Sequence, residues 1–269
     1  MVDRWDPNQY ERFKQERELP FWDLLAMVQP GGIERAVDLG CGTGRLTREL
    51  HRRLEIANTL GIDSSASMLE DCRSFEEPGL AFERADIAEY EPDTKLDLLF
   101  SNAALHWLDD HRALFARLAE WIAPGGQLAV QVPANFDHIS HRLAAEVARE
   151  EPFAQAIGTW KRGTPILSPE DYASLLFELG FEEPRVELKV YPHVLASFED
   201  LLEWQKGTLL TIYRERLGEE LYERFVARFH DRLKAELGDA RPLFYPFKRI
   251  LMSARHPSAE GEIPRSAHL

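Results

Sequence analysis

The chain is expected to fold as an α/β protein built on a parallel sheet with helices on both faces. Three observations carry this. Short apolar runs ending in glycine or an acid alternate with stretches of helical periodicity through the first half of the chain. A glycine-rich turn, "LGCGTG", joins the first such run to the first helical stretch after it. And 44% of the 269 residues are apolar, enough to bury a sizeable core.

Taken in order, residues 9–28 read as helical, with Tyr10, Phe13, Leu24, Leu25 and Val28 apolar, and the Leu19-Pro20 step is expected to bend or split them. "RAVDLG" is the first strand. "RLTRELHRRL" carries Leu46, Leu50 and Leu54 four residues apart, the stripe of an amphipathic helix. "NTLGIDS" is a strand, "ASMLEDCRSF" a helix and "LAFERAD" a strand. "LDLLFSNAAL" is a strand running into a loop, "HRALFARLAEWIAPGG" a helix closed by Pro-Gly-Gly, and "QLAVQVP" the fifth strand. Strands alternating with helical crossovers in this way make parallel βαβ units.

Beyond Pro133 the pattern loosens. Residues 138–150 read as a helix, and "GTWKRGTPILSPED" as an irregular basic and aromatic loop. Ser168, with Pro169 at the first helical position and Asp171 three residues on, starts a helix that runs to Gly180. "RVELKVYPHVL" alternates like a strand. Residues 198–237 form two helical stretches broken near Gly218. "PLFYPFKRILMSARH" is a last strand whose internal proline requires an irregular or tolerant position in the sheet.

The formal charge is −14, and neither half of the chain has a basic surplus. That balance disfavours nucleic acid and anionic lipid as partners. A small anionic substrate would then need a local cluster of cationic and hydroxyl groups. No stretch approaches the ~20 apolar residues of a membrane helix. The polar, acid-containing start of the chain is unlike a secretory or transit signal, so a cytoplasmic protein is expected. Two cysteines, Cys41 and Cys72, make neither a disulfide framework nor a metal site.

The glycine-rich turn selects the cofactor. A dinucleotide fingerprint would place its third glycine at position 45, where this chain has Arg45. The glycines are Gly40, Gly42 and Gly44, and Asp38 stands two residues ahead of them. A carboxylate repels a pyrophosphate but suits the ammonium of an amino-acid head group, so S-adenosylmethionine is favoured over NAD. Asp63, with Ser64 behind it, closes the second strand, where a carboxylate can accept both ribose hydroxyls. Asp86 follows the third strand and can accept from the adenine amino group, with the Ile87 N–H facing the ring. Asn102 and Ala103 follow the fourth strand, where a cofactor lying along the carboxyl edge would pass. Each has a plainer reading: Asp38 as a turn former, Asp63 as a helix N-cap, Asp86 as a surface acid, Cys41 as a small residue in a tight turn. Their common register along one sheet edge favours the cofactor.

"VDLGCGTG", "GIDSS", "RADI", "SNAALHW" and "PGGQLAVQVP" together resemble the core motifs of class I S-adenosylmethionine-dependent methyltransferases. The resemblance implies a Rossmann-like, mostly parallel seven-stranded sheet with a helical lid. It divides the chain into a helical cap (1–30), a cofactor-binding core (31–133), a lid segment (134–167), a core helix and strand (168–197), a helical insertion (198–240), a final strand (241–256) and a disordered tail (257–269). "RWDPNQYERFKQERELP", "NAALHWLDDHRALF" and "QVPANFDHISH" are similar to the members that esterify trans-aconitate. That likeness implies methylation of a carboxylate on a small tricarboxylate. Another small carboxylic acid or a malonyl-type acyl group is the alternative acceptor, and a non-catalytic cofactor-binding protein is the alternative class. Candidate acceptor ligands are Tyr10, Arg17, Trp107, Asn135, His138, Trp160, Lys161 and Arg162, with Tyr213 and Arg249 as weaker additions. An ionised carboxylate needs no general base. His106 has two readings, a base or a ring packed on Trp107 over the pocket.

Overall fold

The computed structural model describes residues 14–160 and 163–258, the side chains of residues 14–17 excepted. Its centre is one seven-stranded sheet of order β3-β2-β1-β4-β5-β7-β6. The strands are β1 (Arg35–Leu39), β2 (Asn58–Asp63), β3 (Leu80–Arg84), β4 (Leu96–Asn102), β5 (Ile122–Pro133), β6 (Glu182–Leu195) and β7 (Leu243–Arg255). The first five are parallel, and β7 enters antiparallel between β5 and β6. The five parallel strands are those that the alternating pattern predicts. The reversal of strand order lies between β1 and β4, where open α/β sheets form a crevice at their carboxyl ends.

The helices follow their apolar stripes onto the sheet. On one face, α1 (Lys14–Leu25) and α2 (Arg45–Arg53) bury Phe21, Leu24, Leu25 and Leu50 against Ala36, Leu98, Phe100 and Leu251. Pro20 lies inside α1 without ending it, because burial of the turn around Phe21 holds the segment against the sheet. On the other face, α4 (His111–Trp121) and α7 (Pro169–Glu178) bury Leu114, Phe115, Leu118, Tyr172 and Leu176 against Val37, Leu99, Val130 and Met252. The short α3 (Ala66–Cys72) lies between β2 and β3, capped by Ser65. Ser168 caps α7 by accepting from the Asp171 N–H, with Pro169 at the first helical position.

The remaining helices form a third core. These are α5 (Ile139–Val147), α6 (Phe153–Ile157), α8 (Phe198–Lys206) and α9 (Thr211–Leu237). They bury Val147, Phe198, Trp204, Tyr213, Phe225 and Phe229 against Leu195, Tyr245 and Phe247, on the stretch of β6 and β7 that extends past the rest of the sheet. Gly218 breaks α9 at φ 68°, ψ 168°, the break expected there.

One expectation changes. Pro124-Gly125-Gly126 does not lie outside the sheet: β5 starts at Ile122, directly after α4, and absorbs these residues where its register against β4 slips. The proline of the last strand occupies one of the two positions expected for it, a tolerant one, and the strand is regular through Pro246. Pairing of β7 with β5 ends at Arg249, so Pro246 faces only Pro192 of β6 and its missing N–H costs no ladder bond on the open side. No helix among the described residues is long and apolar enough to cross a membrane.

Candidate active site

A cavity of about 310 Å³ opens at the carboxyl edge of the parallel strands. Its floor is the loop from β1 to α2. The N–H groups of Gly40 and Cys41 both donate to the Ile62 carbonyl, at 2.8 and 3.0 Å, which ties the loop to the end of β2. Gly40 has φ +80°, and a Cβ there would meet the Ala104 Cβ at 2.2 Å. Gly42, at φ +57°, lines the cavity, and a Cβ added to it would meet nothing within 4 Å. Only a glycine leaves that backbone open to a ligand. Gly44 serves as the left-handed N-cap of α2 and Cys41 is buried beneath the loop, so neither reaches the cavity wall.

The acids do different jobs. The Asp63 carboxylate accepts the Gly42 N–H through Oδ2 and the Ser65 N–H through Oδ1, each at 2.9 Å. Two backbone donors thus fix its orientation in the cavity wall, with Ser64 beside it. Asp86 accepts the Ala88 N–H at 2.9 Å and also lines the cavity, as does Ile87. The Asp86–Ala88 turn is pinned by Arg117 of α4, which donates to the Ile87 carbonyl at 2.7 Å and the Ala88 carbonyl at 2.5 Å. Asp38 is 4% exposed and lies below the lining, accepting from the Thr47 hydroxyl at 2.6 Å. Burial raises its carboxyl to about 7, with the Thr47 bond opposing and the Asp63 charge adding. An open glycine backbone beside a row of oriented carboxylates fits a ligand with hydroxyls and an ammonium group.

The opposite wall comes from the end of β4 and the turn after it. Asn102 and Ala103 line the cavity. Ala103 has φ 57°, rare for a residue with a Cβ, and its N–H donates to the Gln131 carbonyl at 3.0 Å. Next is a 3₁₀ turn, Leu105–Trp107, in which the His106 and Trp107 rings pack 4.7 Å apart and both line the cavity. His111 braces this turn from behind. Its Nε2 donates to the Leu105 carbonyl at 3.1 Å, and its Nδ1 bonds the Tyr172 hydroxyl. Burial lowers its pKa and keeps it neutral.

The far end is built from segments distant in sequence: Pro133, Trp204, Thr208, Thr211, Phe247 and Arg249. Arg249, 4% exposed, lies over the Phe247 ring at 4.8 Å and donates to Gln131 Oε1 at 3.3 Å. His193 sits nearby, held at about 4 by burial and then by the Arg249 charge.

Of the predicted acceptor ligands, the structure brings Trp107 and Arg249 to the cavity. Asn135 is instead a buried structural amide, donating to the Tyr245 hydroxyl at 3.1 Å and accepting the Lys248 N–H at 3.2 Å. His138 caps α5 by accepting the Ser140 N–H. Trp160 packs on Tyr213 and under Arg216, and Tyr213 stacks on Phe225, all away from the lining. Tyr10, Lys161 and Arg162 lie outside the described residues, as does the Arg17 side chain. Sequence reasoning missed Met68, Ala104, Leu108 and Pro133, along with Trp204, Thr208, Thr211 and Phe247. The last four face the cavity only because α8, α9 and β7 fold back over it.

Sheet order, glycine loop and carboxylate row define a class I S-adenosylmethionine-dependent methyltransferase, and a family model described as a methyltransferase domain matches residues 36–126. The YcgJ protein of Bacillus subtilis, a solved structure, superposes with a TM-score of 0.60 at 14% identity, covering 90% of this chain and 100% of that one, a likeness of fold. Along the sequence, the chain is 44% identical over 259 residues to the trans-aconitate 2-methyltransferase of Deinococcus radiodurans, covering 94% of this chain and 98% of the other. It is 40% identical over 258 residues to that of Methylobacterium nodulans, covering 93% and 98%. The chain belongs to the trans-aconitate 2-methyltransferase family.

Proposed function

We propose that the protein transfers the methyl group of S-adenosylmethionine to one carboxylate of trans-aconitate, releasing a monomethyl ester and S-adenosylhomocysteine. One observation carries this reading: the cavity is polar in opposite senses at its two ends. Asp63 and Asp86 line one end, and Arg249 is the one permanently cationic side chain among the described lining residues at the other. The first end suits a ribose, an adenine and an ammonium group; the second suits a carboxylate.

S-adenosylmethionine supplies a methyl carbon on a positive sulfur, already electrophilic. Asp63 would hold the ribose hydroxyls, Asp86 and the Ile87 N–H the adenine, and Asp38, beneath Gly40 and Gly42, would offset the ammonium charge. The acceptor, with a pKa near ~4, arrives ionised and needs no proton removed. What the chain contributes is alignment and exclusion of water, effects worth up to ~7–11 kcal/mol. His106 and Trp107 then act as a wall against which the reacting groups meet, with His106 as packing rather than as base. The N-terminal helical segment and residues 134–167 and 198–240 act as a lid; for the last of these, the contribution of Trp204, Thr208 and Thr211 to the cavity supports the reading. Tyr10, Arg17, Lys161 and Arg162 are proposed, on sequence grounds, for the remaining carboxylates.

The test is incubation with S-adenosylmethionine and trans-aconitate, followed by mass spectrometry of the acid. A gain of one CH₂, absent in Asp63→Ala, is the expected result. No ester, with S-adenosylhomocysteine still bound tightly, would reject this acceptor.

A further inference from the structure

Gln131 is fully buried at the carboxyl end of β5, in register with Asn102 on one side and Leu251 on the other. Its Oε1 accepts a hydrogen bond from Arg249. A guanidinium has donors only, so the amide can meet Arg249 only through its oxygen. The NH₂ group is therefore turned elsewhere, and it has no hydrogen-bond partner among the described residues. Folded interiors rarely leave such a donor unsatisfied, and an exception calls for an explanation. Here the neighbour is a buried cation that lines the cavity. An anion meeting Arg249 from the cavity would supply an acceptor that the NH₂ group lacks.

The two threonines of that wall do not compete for this role. The Thr208 hydroxyl donates to the Trp204 carbonyl at 2.9 Å, and the Thr211 hydroxyl to the Thr208 carbonyl at 2.8 Å. Both hydrogens are committed, so these threonines present lone pairs. Pro133 and Phe247 are apolar. The geometry points to Arg249, which lines the cavity, and Gln131, buried directly behind it, as a clamp for a carboxylate of the acceptor that is not itself methylated, so that the enzyme takes only acids carrying two or more carboxylates. This rests on the reading that the acceptor is a carboxylic acid. The clamped group is not the reacting one for a chemical reason: charge-assisted hydrogen bonds to both its oxygens hold the electron pairs that would have to attack the methyl carbon. The nucleophile is a second carboxylate of the same molecule, left without such donors. Its oxygen lone pair forms the new C–O bond, the C–S bond breaks, and the electron pair stays on sulfur, which becomes neutral.

The test uses the full chain loaded with S-adenosylhomocysteine. Calorimetry measures binding of fumarate, a dicarboxylate, and of crotonate, in which a methyl replaces one carboxylate, to wild type and to variants. Each acid can place one carboxylate in the clamp, so wild type should bind both, and only an acid with a carboxylate left over should be methylated. Gln131→Met, close to isosteric, and Arg249→Met should weaken binding of both acids by roughly 10- to 100-fold, the size of a charge-assisted pair of bonds, while S-adenosylhomocysteine affinity holds. In turnover, both should raise KM for trans-aconitate far more than they lower kcat. Should Arg249→Met fail to fold, Arg249→Lys keeps the charge but loses the planar fork and should retain part of the affinity. Variants that bind fumarate as tightly as wild type, or wild type that esterifies crotonate, overturn the clamp. Wild type that methylates trans-aconitate with KM unchanged in both variants sinks the clamp and leaves the proposed function standing. Wild type that methylates nothing, yet binds fumarate through Arg249, does the reverse.

Discussion

Asp38 makes the most exposing test of the site, because its environment is poor for the free protein. Burial moves its carboxyl from 3.8 to about 7, opposed by the Thr47 hydroxyl and assisted by the Asp63 charge. A raised acid contributes to stability below its unfolded pKa, and that contribution is lost as pH rises through the folded value. On this carboxyl's account alone, the folded chain loses stability between about pH 4 and pH 7, then levels off. At ~1.4 kcal/mol per pH unit of displacement, ionised Asp38 costs the apoprotein about 4 kcal/mol at pH 8, of which about 2–3 kcal/mol develops above pH 5. Asp38→Asn keeps an oxygen for Thr47 and removes the charge, but its NH₂ needs an acceptor and returns roughly 1–3 kcal/mol of the gain. The net expectation at pH 8 is a variant more stable than wild type, by a few degrees in melting temperature. The assay is thermal unfolding of both proteins from pH 5 to pH 8.5, with and without S-adenosylhomocysteine. Comparing them at each pH cancels His111 and His193, whose lowered pKa values are common to both. The variant's advantage should grow with pH up to about 7, and the ligand should stabilise it much less than it does wild type. A difference that stays constant across the range would refute the burial argument. Equal ligand stabilisation would refute the role assigned to Asp38 toward the ammonium group.

Three further outcomes follow from the geometry. Gly42→Ala should fold with a cost of about 1 kcal/mol for its left-handed backbone yet bind S-adenosylhomocysteine at least tenfold more weakly, whereas Gly40→Ala, meeting Ala104 at 2.2 Å, should lose melting temperature as well; calorimetry and thermal unfolding separate the two. His111→Leu leaves the Tyr172 hydroxyl and the Leu105 carbonyl without their buried partner; denaturant unfolding should show a loss of roughly 2–4 kcal/mol, and kcat/KM should fall through displacement of His106 and Trp107. Tyr245→Phe removes the hydroxyl that accepts from both Asn135 and Gln205, at 3.1 and 3.0 Å; it should cost roughly 2–3 kcal/mol in the same assay.

The cofactor half of the site was legible in the sequence because its geometry is local. A loop of a few residues between adjacent β1 and α2 allows little but a glycine turn, and Asp63, Asp86 and Asn102 stand at or just past the ends of β2, β3 and β4, which run parallel in one sheet of order β3-β2-β1-β4 and so share one carboxyl edge. Whatever the order of the strands in the sheet, parallel direction alone brings their carboxyl ends to one edge. The acceptor half was not legible for the opposite reason. Asn135, His138 and Trp160 have the chemistry of ligands, but the same polar groups also satisfy helix caps and buried hydroxyls, and the structure spends them on α5, Tyr245 and the helical core. Arg249 and Gln131, 118 positions apart, meet only because β7 inserts antiparallel between β5 and β6. Trp204, Thr208 and Thr211 reach the cavity only because α8 and α9 pack on the extension of that strand. The sequence by itself determined the sheet, the glycine turn and the carboxylate row, all short-range consequences of strand and turn chemistry. Tertiary structure alone decided which cation faces the acceptor, since long-range strand pairing chooses which of many equivalent arginines is buried at the cavity and which stay in water.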